Sequence, residues 1–200
     1  MKKIISLIIS VSVLLALLLT SCSPASKWDA KYVKMSVKDH GDIILYIDPG
    51  IAPITASHFL DLVNSGFYNG LKFHRAQKNF MIQGGAGDKN SPKVDPIVGE
   101  FFENGHINTL DHDRGVISMA RTGNPDSATS QFFICNGKSS HLDGKYAAFG
   151  YVVEGMEVVD SITSAMVPYT TGDGFVVSEE YYVTIESVTI LTDYTPAIDE

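Results

Sequence analysis

The chain has 200 residues, 44% of them hydrophobic and 19% charged, and a formal net charge of −8. An acidic chain lacks the basic surface that a nucleic-acid role requires, and it cannot adhere to anionic lipid by charge. Its length fits one domain with ample material for a packed core. The first predicted element is a leader: Lys2 and Lys3, an apolar run from Ile4 to Leu19, then Thr20-Ser21-Cys22. A basic start and a short apolar core read as a secretory signal, and the run is short for a membrane span.

Leu19-Thr20-Ser21-Cys22 resembles a bacterial lipobox. That resemblance implies removal of residues 1–21 and acylation of Cys22, whose several chains attach a protein firmly where one chain is marginal. An uncleaved anchor and an ordinary secreted protein are the competing readings. Residues 22–31 read as a short polar tether. Ser23 after the cysteine resembles the outer-membrane sorting pattern for cells with two membranes. The expected location is therefore the bacterial cell envelope, outside the cytoplasm. The other cysteine, Cys135, has no intrachain partner if Cys22 is acylated, so no disulfide is expected and Cys135 reads as a small core residue.

The folded domain is expected over 32–191. Tyr32 to Lys38 and Asp42 to Ile47 flank Asp39-His40-Gly41 and predict a β-hairpin. Ala56, Phe59, Leu60 and Val63 follow Pro53 at helical spacing, and Gly66 lies past them. Short strands are predicted around Leu71–Arg75, Phe80–Gln83, Val116–Ala120, Gln131–Cys135 and Ala147–Val152. Alternation along Gln131–Ile134 puts Gln131 and Phe133 on one face and Phe132 and Ile134 on the other. A second helix fits Met156 to Ser164, with Met156, Val159 and Ile162 as its apolar side, and a last strand fits Tyr182 to Leu191. The stretches Ala86–Asp113 and Val167–Glu180 are irregular, and a loop as long as the first is usually functional. Residues 192–200 read as a polar tail. Short strands with two helices suggest a closed antiparallel barrel, although periodicity alone leaves a sandwich open.

Three stretches carry the chemistry. Phe73-His74-Arg75 precedes Phe80-Met81-Ile82-Gln83-Gly84-Gly85; Ala120-Arg121-Thr122 precedes Ser130-Gln131-Phe132-Phe133; and His141-Leu142-Asp143-Gly144-Lys145-Tyr146 closes the set. One arginine with five fixed donors beside flat and soft apolar groups can hold a small ring and donate to the amide attached to it, which is what a prolyl residue presents. In this order and at this separation the stretches resemble a cyclophilin, the peptidyl-prolyl cis/trans isomerase family, over about Val33 to Ile190.

The resemblance implies a mainly β fold, a closed eight-stranded antiparallel barrel capped by two α-helices. It implies Arg75 as the catalytic residue. Phe80, Met81, Phe133 and Leu142 match the pocket for the proline ring. Gln83 and Gln131 match orienting amides, Ala120, Arg121 and Thr122 the track of the substrate backbone, and His141 and Tyr146 the rim. No metal or cofactor is implied. Asp111-His112-Asp113 superficially resembles a metal cluster, but consecutive residues cannot all face one ion in regular structure. The implied partners are proline-containing segments of unfolded or exported proteins and, through Cys22, a membrane; a monomer is expected.

The sequence departs from the best-known eukaryotic cyclophilins. Arg121 stands for their asparagine, His141 for their tryptophan and Tyr146 for their histidine, changes that resemble the bacterial branch. Lys78-Asn79 replaces a frequent Pro-Gly turn. Two further readings are a peptide-holding module that uses the same groove without catalysis and a purely structural envelope lipoprotein.

Overall fold

The computed structural model describes residues 28–171 and 176–196, so the leader and Cys22 lie outside the described residues. Strands β1 (Lys31–Val37) and β2 (Gly41–Ile47) form the expected hairpin, pairing Tyr32 with Tyr46 and Val37 with Gly41. Val33, Met35 and Val37 alternate inward from β1. Helix α1 (Pro53–Asn64) begins at Pro53, where a missing N–H costs nothing, and buries Thr55, Ala56, Phe59, Leu60 and Val63.

The other strands are β3 (Lys72–Gln77), β4 (Met81–Gly84), β5 (Val116–Met119), β6 (Phe132–Cys135), β7 (Ala148–Glu154), β8 (Thr170–Thr171), β9 (Val176–Val177) and β10 (Val183–Leu191), with helix α2 (Met156–Met166) after β7. Eight of them run β10-β1-β2-β7-β5-β6-β4-β3 and close where β3 pairs with β10. All these pairings are antiparallel, so the ring has no free edge and a sandwich is ruled out. The β8–β9 pair lies outside the ring, joined to β3 through Arg75 and Val176. It occupies part of the stretch expected to be irregular.

The interior is aromatic. Phe59 from α1 packs on Tyr68, Phe132 and Phe149, with ring centroids 5.1–5.8 Å apart, and Phe73 meets Phe132 edge-on at 6.0 Å. Helix α2 adds Val158, Val159, Ile162 and Met166 to the same core.

The long 86–113 connection is built into the domain. Ile97 bridges to Ala128, and Phe102–Asn104 forms a 3-10 turn. The buried Glu100 carboxylate accepts the backbone N–H groups of Ile54 and Thr55 (3.1 and 2.7 Å) and the Thr55 hydroxyl (2.7 Å). It thereby satisfies donors that the first turn of a helix leaves open and places negative charge at the positive end of the helix dipole.

Lys78-Asn79 turns β3 into β4 with Asn79 in the left-handed region (φ 60°), which asparagine tolerates. The Asn79 carbonyl comes so close to Gly137 that a Cβ there would sit 2.5 Å from it.

Because Phe132 touches Phe59, Tyr68 and Phe73, Phe132→Ala should cost about 3–5 kcal/mol in urea unfolding. A loss under about 1 kcal/mol would mean that the aromatic core does not carry this weight.

Candidate active site

Alternation along β4 and β6 sends residues to two cores. Ile82, Phe132 and Ile134 point into the barrel, while Met81, Phe133 and Cys135 form a second, outer cluster with Leu142. Phe80, Ala120 and Tyr146 pack against that cluster half-buried. Cross-strand registry lines up Arg75 with Gln83, Gln83 with Phe133, and Phe133 with Ser118, a row running across β3, β4, β6 and β5.

A groove of about 360 Å³ opens over this row, lined by Arg75, Phe80, Met81, Gln83, Ala120, Arg121, Phe133, His141, Leu142 and Tyr146. Ten of the twelve residues expected at the site therefore share one cavity. The remaining two do not line it. Gln131 stands behind Gln83, and Thr122 turns aside to bond Ser127 (Oγ1 to Oγ, 2.8 Å).

The polar end of the groove is a directed chain. Arg75 Nη1 donates to Gln83 Oε1 at 2.6 Å, and Gln83 Nε2 donates to Gln131 Oε1 at 2.9 Å. A guanidinium only donates, so the Gln83 carbonyl must face it, and the Gln83 amino group is left for Gln131. Gln83 is itself buried, so both of its groups need these partners. The chain sets where the guanidinium sits.

The apolar end is flat and greasy. Met81, Phe133 and Leu142 are buried floor, with Phe133 edge-on to Tyr146 (5.8 Å) and Phe80 against His141 at the rim (5.2 Å). Arg121 closes one side. Its guanidinium lies 4.5 Å from the Tyr146 ring centroid and 5.0 Å from that of Phe101, and it donates to the Lys145 carbonyl from Nε (3.2 Å) and Nη2 (2.7 Å). Its place is thus fixed by ring faces and backbone.

Sequence reasoning missed His112. The three residues Asp111, His112 and Asp113 diverge: Asp113 meets Lys138 (2.8 Å), while His112 is buried beneath the groove floor, stacked on Phe133 at 5.9 Å and 16°. His112 Nδ1 bonds Asp143 Oδ1 at 3.0 Å, and Nε2 bonds Ser118 Oγ at 3.1 Å. Asp143 also accepts the His112 backbone N–H at 2.7 Å, so one carboxylate ties the 140–146 segment to β5 through the imidazole. A histidine four residues before a strand is no signal for this in the sequence alone. Phe101 was likewise hidden in the irregular stretch. Among the described residues no group of three or more His, Cys, Asp or Glu could hold a metal ion.

Burial holds the His112 imidazole below its ordinary value of 6.5, against the pull of Asp143. Burial pushes the Cys135 thiol up to about 12, which makes it the inert core residue expected from the sequence.

The family model described as cyclophilin type peptidyl-prolyl cis-trans isomerase/CLD matches residues 32–190. Peptidyl-prolyl cis-trans isomerase A of Dickeya dadantii is 42% identical over 169 residues, covering 81% of this chain and 84% of its own. Peptidyl-prolyl cis-trans isomerase B of Escherichia coli is 41% identical over 163 residues, covering 76% and 95%. Among solved structures, a Cryptosporidium parvum cyclophilin-type isomerase superposes with a TM-score of 0.68 at 25% identity, over 82% of this chain and 99% of that one. The same protein solved in the presence of the dipeptide Ala-Pro gives 0.67 at 25% identity, over 82% and 100%.

Two outcomes follow from the titrating groups. Folded His112 binds a proton less readily than the unfolded chain does, so its stabilisation is whole above 6.5 and is lost as pH falls through the lowered folded value. Unfolding free energy should decline as pH falls below 6.5, and His112→Gln should flatten that slope. Asp143, held below its ordinary 3.8 by its bonds to His112 against the cost of burial, adds its own loss only at lower pH. A slope unchanged by the substitution would remove His112 as the cause. Cys135 should resist iodoacetamide in the native protein at neutral pH and react on unfolding; rapid native alkylation would contradict its burial.

Proposed function

The chain belongs to the cyclophilin-type peptidyl-prolyl cis-trans isomerase family, and on that basis we propose that it turns Xaa-Pro bonds of exported proteins at the cell envelope, with Arg75 stabilising the twisted amide. The barrier to rotation is resonance between the imide nitrogen and its carbonyl, about 18–20 kcal/mol. The cis and trans forms differ by only about 0.5–1 kcal/mol. An isomerase therefore drives nothing uphill. It must prefer the half-rotated state, in which the nitrogen regains its lone pair and becomes a hydrogen-bond acceptor.

The proline ring settles on Met81, Phe133 and Leu142, which fixes the imide beside Arg75. A guanidinium N–H aimed at the nitrogen meets a lone pair only when the bond is twisted. It therefore binds the transition state better than either planar form, which is the condition for lowering a barrier. Gln83 and Gln131 hold the guanidinium in place beforehand, so little reorganisation falls on the reacting complex. Ala120 and Arg121 line the track of the peptide backbone, with Thr122 set aside against Ser127, and His141 and Tyr146 form the rim. No covalent step occurs. The observation that carries this reading is that Arg75 and the buried Met81–Phe133–Leu142 floor share one open groove. The groove is complete within a single chain, which supports action as a monomer.

The envelope reading rests on the basic, apolar and Leu19-Thr20-Ser21-Cys22 segments, and on acylation of Cys22. Mass spectrometry of the mature protein should find Cys22 as its first residue, carrying acyl chains. An intact Met1 or an unmodified Cys22 would refute the anchor and leave the isomerase untouched.

Arg75→Ala should lower kcat/KM on a proline peptide by about 10²–10³-fold, the usual cost of losing a transition-state donor. Gln83→Ala should lower it by about tenfold, or about 1.4 kcal/mol, by releasing the guanidinium. Undiminished turnover in Arg75→Ala would refute the mechanism and favour a groove that only holds peptides.

A further inference from the structure

A second row of side chains crosses the outside of the barrel on the side away from the groove. Registry pairs Leu191 with Tyr32, Tyr32 with Tyr46, and Tyr46 with Tyr151, spanning β10, β1, β2 and β7. The three tyrosine rings follow one another at 5.3 Å steps, and Tyr194 packs on Tyr32 at 4.7 Å. Tyr151 keeps 40% of its surface in solvent. A cavity of about 690 Å³ lies beside this row between the end of α1 and β10, and Trp28, Tyr32 and Tyr194 are in its wall. Trp28 is the single tryptophan of the chain and the first described residue.

Position in the ring gives this row its meaning. In the order β10-β1-β2-β7-β5-β6-β4-β3, strand β1 lies four places from β6 and β2 lies four places from β4. Tyr32 and Tyr46 are therefore diametrically across the barrel from Phe133 and Met81.

From these observations we infer that the Trp28–Tyr32–Tyr46–Tyr151 face rests on the headgroup layer of the membrane that holds Cys22, so that the groove opens away from the lipid. The inference rests on the anchored reading of Cys22. Six residue steps separate Cys22 from Trp28, a reach of about 20 Å at full extension. A domain of this size has a radius of gyration of about 15 Å and is correspondingly wider than its tether is long. The Trp28 side therefore stays turned to the lipid. Tyrosine and tryptophan are the side chains suited to that layer, with apolar bodies and polar tips. Two carboxylates belong to this face, Asp61 accepting from Trp28 Nε1 at 3.0 Å and Glu154 accepting from the Tyr194 hydroxyl, so the rings and the anchor hold the contact against the repulsion of an anionic layer. The consequence is functional: unfolded segments reach Arg75 from the side facing away from the bilayer.

The test uses the full acylated protein in vesicles of phosphatidylethanolamine and phosphatidylglycerol, with or without bromine on the acyl chains near the headgroup. The tryptophan is moved by Trp28→Phe combined with Tyr151→Trp, or with His141→Trp at the groove rim. Brominated lipid should quench emission from position 151 and leave position 141 unchanged. Flotation with the vesicles reads the anchor separately. A chain that floats while position 151 stays unquenched overturns the face and leaves the anchor standing. Equal quenching at both positions overturns the orientation. A chain that does not float overturns the anchor and this inference with it. Emission at 151 that responds to protein density in the vesicle but not to bromine assigns the row to a second copy of the chain and overturns the lipid contact.

Discussion

Everything at this site follows from the bond between Arg75 and Gln83. A guanidinium on a strand facing water is ordinarily mobile, with several torsions to lose before it can act. Here the cross-strand partner of Arg75 is a buried amide whose carbonyl has no better donor and whose amino group is already committed to Gln131. The polarity of the chain cannot reverse, because arginine has nothing to accept with. A charged donor is thus held at the edge of an apolar floor before any substrate arrives, and such preorganisation is what makes electrostatic stabilisation effective.

The barrel supplies the geometry that this bond needs. Closure of eight antiparallel strands fixes registry on every side, and one row of that registry sets Arg75, Gln83, Phe133 and Ser118 side by side. The period of two then divides β4 and β6 between two jobs: Ile82, Phe132 and Ile134 hold the fold, and Met81 and Phe133 make the groove. A one-residue slip would exchange the sets and destroy both. Beneath the floor, His112 and Asp143 brace Phe133 and the 140–146 segment against β5.

Much of this was legible in the residues. The hairpin of β1 and β2, both helices, and the strands of the site follow from alternation and helical spacing, with ends moved by a residue or two: β6 begins at Phe132, leaving Gln131 just before it, and α2 continues to Met166. Ten of the twelve expected site residues line one cavity: Arg75, Met81, Gln83 and Phe133 lie on neighbouring strands, and the other six stand on the turns and loops around them. What was not legible is contact between distant segments with no local period. Closure through β3 and β10 needed the family resemblance. Glu100 capping α1, Phe101 beneath Arg121 and His112 behind Phe133 all come from the irregular 86–113 connection, where side chains are placed by what they meet rather than by backbone repeat. The β8–β9 pair was lost for the same reason, since two-residue strands carry no readable alternation.

The account depends on the groove favouring a twisted bond over both planar forms, which binding alone does not accomplish. The most direct measurement is NMR exchange of a proline peptide at saturation, with the dissociation constant taken on the same samples, for the native chain and for Arg75→Ala. Slower cis–trans exchange on the protein with nearly unchanged affinity is the predicted result, because the donor engages only the twisted amide. Affinity and exchange declining together, or exchange that persists without the guanidinium, would contradict it.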